Sequence, residues 1–174
     1  MKPPLKPNQS DDFQTPRHAL SPLLPYLKPR WHIWEPACGK GNLSTAFTVM
    51  GYNVTASDIA MGCDFLAPED KCGVKTDKID CIITNPPYKY KTEFLEKCYE
   101  YHKPFALLLP LTTLETKRRQ NLMGYNGIEI ILLPKRINFE MPNGKKAKTG
   151  SWFGVAWFTS GLHIGRDITF YTED

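Results

Sequence analysis

The chain has 174 residues, enough for one domain with a real core. Hydrophobic residues make up 41% and charged residues 23%, the balance of a soluble globular protein, and no apolar run approaches the roughly 20 residues needed to cross a bilayer. The formal net charge of +4 is modest for a nucleic-acid binder, so the distribution of basic residues counts for more than their sum.

Residues 1–12 are proline-rich and polar and read as a flexible lead-in before a single domain over 13–174. They contain no apolar h-region, so no secretory signal is expected and a cytoplasmic location is the default. The stretch 17–28, "RHALSPLLPYLK", predicts a short helix interrupted by prolines. Strand and helix signals then alternate. Strands are predicted at 31–34, 53–58, 79–84, 105–110 and 128–134, and helices at 42–50, 92–101 and 114–124. Three further strand-like runs follow at 136–140, 151–159 and 167–172.

Repeated β-α-β units predict a mostly parallel α/β sheet with helices on both faces, of Rossmann-like type. The late strands predict an antiparallel hairpin at one edge. The five cysteines, Cys38, Cys63, Cys72, Cys81 and Cys98, are odd in number and lack C-x-x-C spacing. Reduced, mostly buried thiols and no metal site are therefore expected.

In such a sheet, ligands bind beyond the carboxyl ends of the strands. After the first strand comes Glu35-Pro36-Ala37-Cys38-Gly39-Lys40-Gly41. Gly39 and Gly41 permit a tight turn and close approach of the backbone to a ligand. The loop is neither G-x-G-x-x-G nor a phosphate loop, and a carboxylate at Glu35 repels pyrophosphate but suits an amine. Asp58 ends the second strand, where an acid can take two ribose hydroxyls. Asp64 and Phe65 add an acid and an aromatic ring suited to adenine. A ligand with ribose, adenine and an amine but no phosphate describes S-adenosylmethionine better than NAD or ATP.

The third strand runs into Thr84-Asn85-Pro86-Pro87-Tyr88, with more fixed geometry than a strand exit needs. Together, "FQTP" (13–16), "EPACGKG" (35–41), "SDI" (57–59), "CDFL" (63–66) and "NPPY" (85–88) resemble the ordered motifs of the adenine-specific DNA amino-methyltransferases, over roughly residues 13–160. The resemblance implies S-adenosylmethionine as cofactor, with Thr15 and Pro16 at its methionine end. Glu35, Ala37, Gly39 and Gly41 would line its amino acid and ribose. Asp58 would take the ribose hydroxyls, Ile59 would pack on the adenine, and Asp64 and Phe65 would face its amine and ring.

Asn85, Pro86, Pro87 and Tyr88 would then clamp a flipped adenine. The exocyclic amine is a poor nucleophile because its lone pair is delocalised into the ring. The Asn85 carboxamide oxygen and the Pro86 carbonyl can accept its hydrogens and free that lone pair, while Tyr88 stacks on the base. A second aromatic wall is assigned to Phe139, with Trp152 and Phe153 as competitors. Basic clusters at Lys117-Arg118-Arg119, Lys135-Arg136 and Lys145-Lys146-Lys148 point to a polyanionic partner, most readily DNA, with Arg118, Lys145 and Lys146 as contacts.

No segment resembles a helix-turn-helix or zinc finger. The small form resembles phage-encoded or mobile-element enzymes, and weak sequence preference, a very short site, or a specificity partner or oligomer is expected. Other methyl acceptors remain open. NPPY also occurs in enzymes acting on RNA bases and on protein glutamine, although only 34 residues precede the glycine loop, too few for the helical domain typical of the glutamine enzymes. A non-catalytic nucleic-acid-binding module is the reading from another class.

Overall fold

The computed structural model describes residues 14–68, 72–139 and 154–171. They form a seven-stranded sheet of β1 (His32–Glu35), β2 (Asn53–Ala56), β3 (Cys81–Thr84), β4 (Phe105–Pro110), β5 (Glu129–Leu132), β6 (Val155–Ser160) and β7 (Ile168–Phe170), in the order β2-β1-β3-β4-β6-β5-β7. Strands β2, β1, β3 and β4 pair in parallel. Strand β6 is antiparallel to both β4 and β5, and β7 joins β5 in parallel. The carboxyl ends of β1, β3, β4 and β5 therefore point the same way.

Three α-helices flank the sheet: α1 (Asn42–Val49), α2 (Lys91–Glu100) and α3 (Lys117–Asn126). Alternate side chains of a strand face opposite sides, and both sides of this sheet are covered. Ala106 and Leu108 of β4 join Leu43 and Phe47 of α1 and Leu20 and Leu23 of the N-terminal turns. Phe105, Leu107 and Leu109 join Phe94 and Leu95 of α2 and Met123 of α3. Burial on both faces is why β3 and β4 are continuous apolar runs without polar alternation.

Several local expectations need correction. The helix expected over 17–28 is two 3-10 turns, Arg17–Leu20 and Leu24–Tyr26, because Pro22 and Pro25 each remove a donor and restrict the residue before them. The helix expected over 114–124 divides into a 3-10 turn at Leu111–Glu115 and α3, which ends at Gly127 with φ of 80° and carries Gly124 in its interior. No strand forms over 136–139. Ile137 and Phe139 are buried and Arg136 and Asn138 exposed, as in a strand, but β5 already has β6 on one side and β7 on the other. The antiparallel pairing expected of the late strands is present. Its member β6 lies inside the sheet, and β7 is the edge.

Cys63 and Cys72 are joined as a disulfide, with Cα atoms 4.6 Å apart, against the expectation of five free thiols; Cys38, Cys81 and Cys98 are free and buried. Among the described residues no helix is long and apolar enough to cross a membrane.

Candidate active site

The loop that leaves β1 is folded tightly. Cys38 donates its N–H to Ser57 O at 3.0 Å, and Ser57 N–H donates to Glu35 O at 2.9 Å, so the loop stays tied to the segment after β2. Gly39 and Gly41 have φ of 52° and 82°, the left-handed region that favours glycine. Gln14 covers the turn. Its side-chain oxygen accepts the Lys40 N–H at 3.1 Å, and a Cβ on Gly39 would lie 2.5 Å from its side-chain nitrogen. Replacing Gly39 with alanine should destabilise the fold by about 1–3 kcal/mol through left-handed strain and displacement of Gln14. Urea denaturation measures it, and an unchanged midpoint would show that the loop relaxes without that residue.

Glu35 ends β1 only 2% exposed. One of its carboxylate oxygens, Oε2, is buried with no hydrogen-bond partner among the described residues. Burial pushes the carboxyl up to about 8. The side chain and backbone of Ser44 oppose that shift, and nearby Asp58 adds a smaller upward push. A carboxyl kept in so dry a place at a strand terminus is a functional-site signal.

A small polar cavity of about 20 Å³ opens beside it, lined by Gln14, Thr15, Glu35, Ala37, Asn42 and Asn85 among others. It holds one water-sized polar group. The carboxamide oxygen of Asn85 is likewise buried without a hydrogen-bond partner among the described residues. Two acceptors from the ends of β1 and β3 thus meet one cavity with their demands unmet, an arrangement that costs stability unless a donor fills it.

Ala37 also lines a second cavity of about 300 Å³, with Asp58, Ile59, Asp64 and Phe65 on one side and Pro87, Tyr90 and Phe94 on the other. Asp58 accepts the N–H groups of Gly39 and Ala60, each at 2.9 Å, one with each carboxylate oxygen. It therefore locks the glycine loop to the following turn. Ile59 is 72% exposed and offers a large apolar face. Asp64 caps its own turn by accepting Leu66 N–H at 3.0 Å. Phe65 is only 2% exposed and belongs mostly to the core, stacked on Phe94 at 4.9 Å and edge-on to Trp34 at 5.2 Å.

Pro86 is buried, and Pro87, with φ of −58°, leads into the 3-10 turn Tyr88–Tyr90 that starts α2. Lys91 Nζ donates to the Tyr88 carbonyl at 3.2 Å, which braces the turn. Tyr88 is half-buried and packs against the cores on both sides of the sheet.

The structure therefore brings Thr15, Glu35, Ala37 and Asn85 to one cavity and Asp58, Ile59, Asp64 and Phe65 to its neighbour. Pro16 precedes the first turn, beside Thr15. The remaining candidates lie elsewhere or cannot be placed. Phe139 is 5% exposed and sits in the core with Ile137 and Trp157, so it is not presented to a ligand. Arg118 is on the surface, where its guanidinium meets both oxygens of Glu96 at 2.6 and 2.7 Å. Its neighbour Arg119 is buried and spent on the carbonyls of Thr112 and Thr113 and the hydroxyl of Thr92. Lys145, Lys146, Trp152 and Phe153 lie outside the described residues.

Gln14, Asn42 and Tyr90 line the site without having been singled out. Gln14 and Tyr90 each adjoin a named motif, whereas Asn42 looked only like the first residue of a helix. No group of three His, Cys, Asp or Glu among the described residues is placed to hold a metal ion.

No family model matches the sequence, and no curated protein matches it. Among solved structures, the chain is similar to a predicted O-methyltransferase from Agrobacterium tumefaciens. The TM-score is 0.53 at 13% identity, covering 83% of this chain and 79% of that one. It is also similar to a release-factor-specific protein-(glutamine-N5) methyltransferase from Alicyclobacillus acidocaldarius, with a TM-score of 0.46 at 15% identity over 90% of this chain and 98% of that one. The first likeness establishes the fold: a Rossmann-like sheet of the class I methyltransferase type.

Proposed function

We propose that the protein is an S-adenosylmethionine-dependent methyltransferase that modifies an exocyclic amine, and that its acceptor is an adenine of DNA. The observation that carries this reading is the pair of unmet buried acceptors, Glu35 Oε2 and Asn85 Oδ1, in one cavity. Glu35 suits the cofactor's ammonium group, and ionising it there would give a charge-assisted hydrogen bond. The larger cavity offers Ile59 to an adenine ring and Asp58 to ribose hydroxyls. Once bound, the cofactor supplies an electrophilic methyl sulfonium.

Asn85 Oδ1 is an acceptor fixed by the neighbouring prolines. It orients an amine by taking one of its hydrogens, so that the nitrogen lone pair leaves the plane of the ring. The proton displaced by methylation can leave to solvent, because an alkylated arylammonium is strongly acidic. The chain supplies proximity and orientation rather than a base.

The same clamp would hold an amide of protein glutamine or a base of RNA. The test measures transfer of labelled methyl groups to duplex DNA, single-stranded DNA, RNA and a glutamine-bearing protein acceptor, with products identified by mass spectrometry. Methyl-adenine in DNA is the expected result. Label in RNA or glutamine alone would replace the acceptor and keep the chemistry. Absence of cofactor binding would overturn the whole reading.

A further inference from the structure

We infer that the cleft between the first N-terminal turn and the segment after β5 seats a backbone phosphate of the nucleic-acid strand that carries the acceptor base. This inference rests on the proposed function and adds a residue-level contact surface to it. The cleft, of about 160 Å³, is lined by His18 and Pro22 on one side and by Lys135, Arg136, Asn138 and Tyr171 on the other. Among its described lining residues there is no carboxylate. A recess edged by a guanidinium, an ammonium and an imidazole suits a single phosphodiester, since Arg offers a planar fork to two phosphate oxygens and Lys a point charge.

Both walls are fixed by packing. Trp157 donates its indole N–H to the carbonyl of Ala19 at 2.7 Å, which holds the turn carrying His18. Ile137 and Phe139 are 2% and 5% exposed, anchoring the opposite segment from below and leaving Arg136 and Asn138 on its outer side. The buried Phe139 therefore acts as a peg for a basic edge.

The position is right as well. Strand β5 runs in the same direction as β4, since both are antiparallel to β6, so the segment after β5 emerges at the same end of the sheet as Glu35 and Asn85. His18 lies three residues beyond Thr15, which lines the polar cavity. A strand whose base enters that cavity passes this cleft within a short length of backbone. Arg118 and Arg119 are committed to partners within the protein, which makes Lys135-Arg136 the described basic pair best placed for the strand.

The experiment measures affinity for a fluorescent single-stranded oligodeoxynucleotide by anisotropy over a salt series. Wild type is compared with Arg136→Gln, Lys135→Gln and a control, Lys103→Gln, which lines a separate cavity before β4. Each cleft variant should lower the slope of log affinity against log salt by about 0.7 and weaken binding alike for all sequences. The control should leave the slope unchanged.

Slopes for Arg136→Gln and Lys135→Gln equal to that of the control would overturn the inference. Inorganic phosphate should displace the oligonucleotide no better than its ionic strength requires; specific displacement would reassign the cleft to a free anion and overturn it too. Cofactor binding is followed in parallel by calorimetry. Protein that binds cofactor but no nucleic acid refutes the phosphate seat and leaves methyl transfer to another acceptor standing. Protein that binds neither refutes both.

Discussion

Replacing Asn85 with alanine is expected to lower the rate of methyl transfer by about 10²–10³-fold, the usual effect of deleting one preorganised polar group aimed at the reacting centre. Cofactor affinity should change little, because Asn85 reaches the cavity from β3 and the larger cavity is lined without it. The fold should also tolerate the change. The Asn85 carboxamide oxygen is buried without a hydrogen-bond partner among the described residues, so its removal strands no internal donor and relieves a desolvation cost. Asn85→Asp preserves an acceptor oxygen and should retain more activity than Asn85→Ala. Single-turnover methyl transfer and calorimetric cofactor binding together make the test. Equal loss of rate and of cofactor affinity in Asn85→Ala would show that Asn85 holds the cofactor and does not orient the acceptor.

How much of this could be read from the sequence depends on the range of the forces involved. The β-α-β alternation, the double-sided burial of β3 and β4 and the glycine turn after β1 are local patterns, and the structure has them. What escaped the sequence depends on partners distant along the chain. Ile137 and Phe139 alternate with Arg136 and Asn138 just as strand residues do, yet they form no strand, because β6 and β7 have taken both edges of β5. Sequence periodicity cannot reveal that those edges are occupied.

The same holds within the site. Phe65 looks like an open aromatic platform until Trp34, Phe94 and Tyr101 close around it. Arg119 looks like a surface cation until Thr92, Thr112 and Thr113 absorb its donors. Gln14, 25 residues before Gly39, could be placed on the glycine loop only by the fold.

Glu35→Gln should have opposite effects on stability and on ligand affinity. In the free protein, burial raises the Glu35 carboxyl from an ordinary 4.5 to about 8. The folded state then binds this proton more tightly than the unfolded state does. Stability is therefore lost as pH rises from about 4.5 to about 8, and the loss levels off above that. Its full size is on the order of 4 kcal/mol. The glutamine variant carries no such proton, so it should be more stable than wild type at pH 8 and above, with a flatter stability profile below; denaturant titrations across pH measure this.

Ligand binding should move the other way. If Glu35 receives the cofactor's ammonium as a carboxylate, binding below pH 8 must expel its proton, and affinity should rise nearly tenfold per pH unit up to about 8. Glutamine removes that dependence and a charged hydrogen bond worth about 1.5–3 kcal/mol, or roughly a 10- to 150-fold loss of affinity. Calorimetry at pH 7 in two buffers of different ionisation enthalpy should show close to one proton released per wild-type binding event and none for Glu35→Gln. Wild-type affinity that stays flat between about pH 6 and 8, with no proton release, would mean that Glu35 stays protonated in the complex. The carboxyl would then serve as a neutral hydrogen-bonding group, and the ammonium would have to be held elsewhere.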